Sequence, residues 1–224
     1  MASGKGKAIL FASLGLGILG FALTMSTPAY ASEAWINAQE KKKKGKGRMG
    51  KTLKDAVTNF SPEVLASARK WATNRGVPLA EILATILLES GGNPKSQLVN
   101  DKEDSRGLMQ VNIRAHGDML KAKGYTADDL YRPDVGIEIG SLIYAQARAK
   151  VGELVKKCPA PQTHDLGTLT RLYYAGPKYV VSMLQKAKTK EDTAHAFKNS
   201  ETYVDHWHNA MVAVAEALGN SAYS

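Results

Sequence analysis

The stretch ILATILLESGGNP, residues 82–94, places a run of apolar residues directly before a single glutamate, Glu89, and then breaks the pattern at two glycines. The apolar positions upstream recur at helical spacing and cover almost the whole circumference. They are Leu79, Ile82, Leu83, Ile86 and Leu87, widened by Ala80, Ala84 and Leu88. A helix that is apolar on nearly all sides is usually buried. The pattern therefore predicts a central helix over residues 79–89 that ends in a carboxylate.

The chemistry of Glu89 follows from this position. Burial disfavours the charged carboxylate, and so does the negative end of a helix dipole. A glutamic acid that keeps its proton near neutral pH can protonate the leaving oxygen of a glycosidic bond. The position by itself favours an ordinary surface glutamate at a frayed helix end over a catalytic acid, so further residues are needed to decide.

The remaining segments predict a mainly α fold of short helices packed around the central one. Ser61 as N-cap, Pro62 at the first helical position and Gly76 as a stop define one helix. Further helices are predicted at about residues 113–124, 134–151, 166–175, 177–189 and 201–218. Residues 91–105 are polar and predict a loop, with a short hairpin within residues 91–115 left open.

The N-terminus is typical of a secretory signal peptide. Lys5 and Lys7 precede an apolar stretch, Ala8 to Met25, and a small-x-small pattern ends at Ala31. The alternative is a retained membrane anchor, because the apolar run is near the minimum length that spans a bilayer. Residues 1–31 are thus predicted to be a signal peptide or an anchor. Either one implies an exported, periplasmic or membrane-anchored protein facing the cell wall, or one carried in a phage particle.

The positive charge is concentrated in one tract. The net charge is +9, and residues 41–54 contain eight lysines and arginines and no acidic residue. The rest of the body is nearly neutral, which argues against nucleic acid as a partner. We expect residues 32–58 to be a basic flexible linker, in which residues 41–54 are either part of a solvated tether or a contact with anionic lipid or wall polymer. The catalytic domain would then occupy residues 59–220.

Metal and thiol chemistry have little support in the sequence. Cys158 is the only cysteine. His206 and His208 are two residues apart, so on a helix they point in nearly opposite directions. No metal site and no cofactor are therefore predicted. We expect Trp71, Trp207 and Tyr203 to pack in the core rather than against a sugar.

Three further motifs follow the central helix. They are SRGLMQVN (residues 105–112), LYRPDVGIEIG (residues 130–140) and LYYAGP (residues 172–177). Together with the Glu-Ser pair at residues 89–90, they resemble, in order and approximate spacing, the lytic transglycosylases of the soluble (SLT) type. The resemblance covers about residues 60–180 and is strongest to the short members found in secretion systems and phage particles. Secretion-system or virion components are therefore possible partners.

The resemblance implies a lysozyme-like α fold that cleaves the β-1,4 bond between N-acetylmuramic acid and N-acetylglucosamine in peptidoglycan. It makes Glu89 the catalytic acid and base, with Ser90 orienting it or the substrate. The substrate-binding positions that it implies are Gly107, Leu108, Met109 and Gln110 on the cleft floor, with Gln110 facing a sugar N-acetyl group, and Tyr144 and Tyr173 beside the cleft.

Two positions depart from the family pattern. Gly136 and Tyr174 stand where the family usually has asparagine. We expect Gly136 only to loosen a helix cap, whereas Tyr174 alters a residue near the cleft.

The number of carboxylates decides between two reactions. Hydrolysis by the usual glycosidase routes requires a second acidic group across the scissile bond. The available ones, Asp101, Glu103 and Asp104, lie in a polar loop and are expected to be solvated. With one carboxylate, Glu89 would act as acid and then as base, and the muramic C6 hydroxyl would close a 1,6-anhydro ring. A lysozyme-type muramidase and a non-catalytic wall-binding protein remain the alternatives.

Overall fold

The computed structural model describes residues 47–100, 103–197 and 201–219. The helices in this part of the chain are α1 (Gly47–Thr58), α2 (Pro62–Arg75), α3 (Leu79–Ser90), α4 (Ile113–Ala122), α5 (Pro133–Lys157), α6 (Leu166–Ala175), α7 (Pro177–Lys186), α8 (Lys190–Phe197) and α9 (Glu201–Ala217), with a 3₁₀ helix at Asp128–Tyr131. The predicted leader, residues 1–31, and residues 32–46 of the predicted linker lie outside the described residues. No helix within the described ranges is long and apolar enough to cross a membrane.

The mainly α prediction is confirmed, and the cap and the stop that the sequence predicts for α2 are present in the structure. Ser61 caps α2 by accepting a hydrogen bond from the Val64 amide, and Gly76 ends the helix with a left-handed φ of 62°. A glycine is favoured there because other residues rarely adopt a positive φ.

Helix α3 is the buried centre of the fold, as predicted. Ala80, Ile82, Leu83, Ala84 and Ile86 are completely buried. The helix packs against α1, α2 and α9. Only the ends of the helix are partly exposed, at Leu79 and, in the last turn, at Leu88, Glu89 and Ser90. The central helix therefore delivers its last residues to the surface of the core.

The prediction of a flexible linker over residues 32–58 is wrong for its last part, because residues 47–58 form α1. Val57 is buried in the main core, and Leu53 and Ala56 pack against it. These three positions have i, i+3, i+4 spacing and form one apolar stripe, which faces α9 and α3. The surrounding basic residues obscured this stripe. The folded body therefore begins before residue 59.

The hairpin left open for residues 91–115 is present as part of a small antiparallel sheet. Its strands are β1 (Gln97–Val99), β2 (Asp104–Arg106) and β3 (Val111–Asn112), in the order β1-β2-β3. The turn between β2 and β3 consists of residues 107–110. It has positive φ at Gly107 (77°) and Gln110 (46°). The sheet therefore holds this turn next to the end of α3.

Gly136 has a packing role rather than the capping role expected from the sequence. It lies inside α5, and a Cβ added there would be 2.6 Å from the Leu130 carbonyl oxygen. The missing side chain lets the 3₁₀ helix lie against the start of α5. The departure from the family pattern is therefore compensated by close packing.

Two helix ends and one additional helix differ clearly from the prediction. Helix α5 extends to Lys157, beyond residue 151, and α7 ends at Lys186 instead of residue 189. Helix α8 was not predicted. It had a signal, since Thr189 and Asp192 form reciprocal hydrogen bonds as in a capping box.

Candidate active site

A cavity of about 580 Å³ lies at the C-terminal end of α3. Leu88 and Glu89 of α3 line one side of it. The sheet region contributes Glu103, Ser105, Gln110, Val111 and Asn112, and α4, α5, α6 and α9 contribute His116, Ile143, Arg171, Tyr174, Ala175, Tyr203 and His206. The volume is within the range of pockets that hold small ligands. The carboxylate of Glu89 thus opens into a space that could hold part of a substrate.

Glu89 does not have the wholly apolar surroundings that the sequence predicted. Its side chain is 23% exposed, and its Oε1 lies 2.6 Å from Nη2 of Arg171, whose side chain is only 3% exposed. The nearest charged group is thus a buried guanidinium. The apolar helix positions Glu89, but an ion pair determines its local electrostatics in this structure.

Arg171 lies close to two aromatic rings. Its Cζ lies 5.6 Å from the ring centre of Tyr174 and 5.3 Å from that of Tyr203. Its Nε and Nη1 are buried and have no hydrogen-bond partner among the described residues. Burial has the largest single effect on Arg171 and lowers the pKa of its guanidinium, but the combined attraction of Glu89, Tyr203 and Tyr174 raises that pKa overall. Glu89 is thus the main group that stabilises the charge of Arg171.

Ser90 joins the end of α3 to the turn between β2 and β3. Its Oγ lies 2.9 Å from the Leu108 carbonyl oxygen and 3.0 Å from that of Ile86, and it accepts a hydrogen bond from the Gly92 amide. Ser90 is absent from the residues that line the cavity. Its contacts fit the orienting role that the sequence suggested, exerted through the backbone.

The turn of residues 107–110 contributes less to the cavity than predicted. Leu108 and Met109 are completely buried in the core, and Gly107 packs against the Leu130 carbonyl. Of the four, Gln110 alone lines the cavity. Its Nε2 donates hydrogen bonds to the carbonyls of Ser96 and Gly107. The cleft-floor prediction is therefore wrong for Gly107, Leu108 and Met109, whose role is to shape the turn.

The tyrosine predictions are also corrected. Tyr144 is completely buried and donates a hydrogen bond to Glu81 at 3.2 Å, so it does not face the cavity. Tyr173 packs against a second cluster, to which α5, α6, α7 and α9 contribute. Tyr174 lines the cavity instead and donates a hydrogen bond to the Met109 carbonyl at 2.7 Å. On α6, Tyr174 is three residues from Arg171 and shares its face, whereas Tyr173 is rotated away.

A second carboxylate, Glu103, lines the cavity. The Ser105 hydroxyl donates a hydrogen bond to it at 2.6 Å. Asp104 instead pairs with Arg106 at 3.0 Å, and Asp101 lies outside the described residues. The expectation of a solvated loop acid is therefore wrong for Glu103.

Several lining residues were not found by sequence reasoning. The sequence does contain a signal for Arg171, because this charged residue interrupts an apolar helical stretch. Tyr203 was predicted to lie in the core but lines the cavity, while Trp207 is buried as predicted. His116, whose pKa is lowered by burial, and His206 had no signal in the motifs.

Behind the site, a buried network joins three helices. Glu81 of α3 is completely buried, and both its oxygens lie 2.7 Å from Nη1 of Arg148 on α5. A Cβ on Gly167, in the first turn of α6, would lie 2.8 Å from Oε1 of Glu81. Burial raises the pKa of Glu81 to about 7, although Arg148 opposes the shift. The network fixes α5 and α6 against the central helix.

Comparison with known proteins identifies the fold. The profile of the family described as "Transglycosylase SLT domain" matches residues 66–196. The X-ray structure of an inactive glutamate-to-glutamine mutant of lytic transglycosylase Slt from Pseudomonas aeruginosa superimposes with a TM-score of 0.53 at 20% identity. The match covers 69% of this chain but 24% of Slt, and no curated protein sequence matches. The chain belongs to the transglycosylase SLT family and has its lysozyme-like fold.

Proposed function

We propose that this protein is a peptidoglycan lytic transglycosylase that cleaves the β-1,4 bond between N-acetylmuramic acid and N-acetylglucosamine. The observation that carries the proposal is that Glu89, at the end of the buried helix, opens into the cavity. The family membership supports it. In the solved Slt protein, replacing one glutamate by glutamine gives an inactive mutant, and we propose that Glu89 is the equally essential glutamate here.

The proposed reaction uses Glu89 twice. As an acid it gives its proton to the glycosidic oxygen, and the bond from that oxygen to C1 of muramic acid breaks. The substrate's own N-acetyl group stabilises the positive charge at C1. As a base Glu89 then takes the proton of the C6 hydroxyl, whose oxygen attacks C1. The products are a shortened glycan and a 1,6-anhydro-muramoyl end, and water is not consumed.

Gln110 is the proposed contact for a sugar N-acetyl group. Both hydrogens of its side-chain amide are engaged by the carbonyls of Ser96 and Gly107, which fixes the orientation of the amide. Its Oε1 is left as the acceptor for an N-acetyl N–H. The substrate-binding surface that we propose is made of Gln110, Tyr174 and Tyr203.

Glu103 favours a second candidate, hydrolysis by a lysozyme-type muramidase. A carboxylate beside the scissile bond could activate a water molecule or stabilise the C1 cation. Mass spectrometry of products from purified peptidoglycan distinguishes the two reactions. The lytic reaction predicts anhydro-muropeptides from the parent protein and from Glu103→Gln. Reducing-end muropeptides, lost in Glu103→Gln, would establish hydrolysis instead.

We also propose that the protein acts outside the cytoplasm or from a phage particle, with residues 1–31 as a leader or anchor. The lysine-rich residues 41–46 would bind anionic lipid or wall polymer. Replacing Lys41, Lys42, Lys43, Lys44 and Lys46 by glutamine changes none of the described residues of α1. Retention on phosphatidylglycerol vesicles or on isolated walls should fall. Turnover of soluble glycan fragments should not.

Secretion-system or virion components belong to this same proposal, as partners that would carry the enzyme to the wall. Copurification of the full chain with such an assembly tests the point. A chain recovered only as a free protein from producing cells would count against it.

A further inference from the structure

The ion pair between Arg171 and Glu89 raises a problem for the reaction, and the problem points to a substrate preference. Glu89 must carry a proton when the glycan binds, yet here its Oε1 lies 2.6 Å from a guanidinium that is 3% exposed. A protonated Glu89 is neutral and no longer balances that charge. A buried charge left without its partner is strongly unfavourable. The acid form therefore needs another anion beside Arg171.

The protein does not place a second anion on Arg171. Within the described ranges, Glu89 is the only carboxylate that pairs with it. Glu103, the other carboxylate of the cavity, is engaged by the Ser105 hydroxyl. The rings of Tyr174 and Tyr203 attract the cation but carry no net charge. The missing anion would therefore come from the substrate, which enters the same cavity.

The chemistry of the glycan restricts what that anion can be. The sugar rings of peptidoglycan carry hydroxyl and N-acetyl groups, which are neutral. The single acid of the glycan backbone is the carboxylate of the lactyl ether on muramic acid. It is charged only when no stem peptide is attached, because the peptide joins it as an amide.

We propose that Arg171 binds the free lactyl carboxylate of muramic acid and that the enzyme therefore prefers peptide-free glycan. On binding, the lactyl carboxylate replaces Glu89 as the partner of Arg171. Glu89 is then free to hold the proton that the leaving oxygen requires. In peptide-bearing glycan the lactyl group is a neutral amide and cannot balance the charge of Arg171. Glu89 therefore remains paired with Arg171, and protonation of the leaving oxygen slows. This inference rests on the proposed function and specifies its substrate.

A binding experiment tests the proposal without turnover. The full chain with Glu89→Gln provides a neutral side chain in place of the protonated acid. Two muramoyl tetrasaccharides serve as ligands, identical except that one has free lactyl carboxylates and the other has carboxamides. Calorimetry should show that the tetrasaccharide with free carboxylates binds about tenfold more tightly than the carboxamide, as expected for a charge-assisted hydrogen bond to a buried cation.

The control variant removes the cation. Adding Arg171→Gln to the Glu89→Gln chain should reduce the ratio of the two binding constants to about one, because the tetrasaccharide with free carboxylates then binds more weakly. Arg171→Lys should retain part of the preference, because it keeps the charge but not the planar fork. If Arg171→Gln does not fold, the comparison of the two ligands on Glu89→Gln and on Glu89→Gln/Arg171→Lys still tests the proposal.

Turnover separates this inference from the proposed function. The parent should release anhydro products faster from amidase-treated, peptide-free glycan than from intact peptidoglycan, and Arg171→Lys should narrow the difference. Equal binding of acid and amide would overturn the role of Arg171, even if anhydro products form. Absence of anhydro products from both glycans would overturn the proposed function, even if the acid binds preferentially.

Discussion

The hydroxyl of Tyr174 donates a hydrogen bond to the carbonyl oxygen of Met109 across 65 positions of sequence, at 2.7 Å. Ser90 contacts the neighbouring carbonyl, that of Leu108, at 2.9 Å. Two side chains from two helices thus hold adjacent peptide groups of one turn. That turn ends at Gln110, which lines the cavity. The shape of the proposed substrate site therefore depends on polar contacts between α3, α6 and the sheet.

Removing the Tyr174 hydroxyl tests this dependence. Tyr174→Phe keeps the ring but leaves the Met109 carbonyl without its donor, so the free energy of unfolding should fall by about 1–3 kcal/mol. We expect wall-degrading activity to fall as well, because the turn is less well held. Urea unfolding and turbidity assays measure the two effects.

Tyr173→Phe is the matched control. Tyr173 is the adjacent residue and packs against the cluster to which α5, α6, α7 and α9 contribute. Its side chain makes no hydrogen bond with the described part of the chain. Its removal should change stability by less than about 0.5 kcal/mol. Equal effects of the two substitutions would show that the contact with Met109 is unimportant.

Gly107 and Gly124 provide a second matched pair. Both have a left-handed φ, 77° and 75°. A Cβ on Gly107 would lie 2.2 Å from the Leu130 carbonyl oxygen, whereas a Cβ on Gly124 meets nothing within 4 Å. Gly124→Ala should therefore cost about 1–2 kcal/mol from backbone strain alone. Gly107→Ala should cost clearly more, because the backbone must also shift, and thermal unfolding that ranks them in the reverse order would contradict this packing.

Glu89→Gln should abolish activity while the fold is retained. The amide cannot give a proton to the leaving oxygen or take one from the C6 hydroxyl, so the rate should fall by at least about 10²-fold. Its carbonyl oxygen can still accept a hydrogen bond from Arg171, which limits the loss of stability. Glu153→Gln, on an exposed part of α5, is the control and should clear wall suspensions as fast as the parent. Clearance by Glu89→Gln at the parental rate would exclude Glu89 as the acid.

Stability should depend on pH through Glu81. Its pKa is raised by burial from 4.5 to about 7 in the folded protein, so the folded state binds more protons than the unfolded state between these values. The free energy of unfolding should therefore decrease as pH rises from about 5 to about 7. Glu81→Gln removes this contribution and should flatten the profile measured by urea unfolding. An unchanged slope would mean that the pairing with Arg148 keeps Glu81 charged throughout.

Local signals in the sequence predicted most of the helices correctly. The Ser61 cap, the Gly76 stop and the apolar run of α3 each act over a few residues, so they can be read without tertiary structure. The same local character explains the error at residues 47–58. A short apolar stripe within a basic tract gains its stability from packing on α9 and α3, which the sequence does not display.

The sequence by itself determined the fold class, the buried central helix and the carboxylate at its end, because periodicity and helix stops are local properties. Tertiary structure alone decided which side chains meet Glu89. Arg171 and Tyr203 come from helices far along the chain, and whether Tyr173 or Tyr174 faces the cavity depends on how α6 is rotated in its packing. Electrostatics at the site depends on distances between such groups, and these distances exist only after the helices have packed.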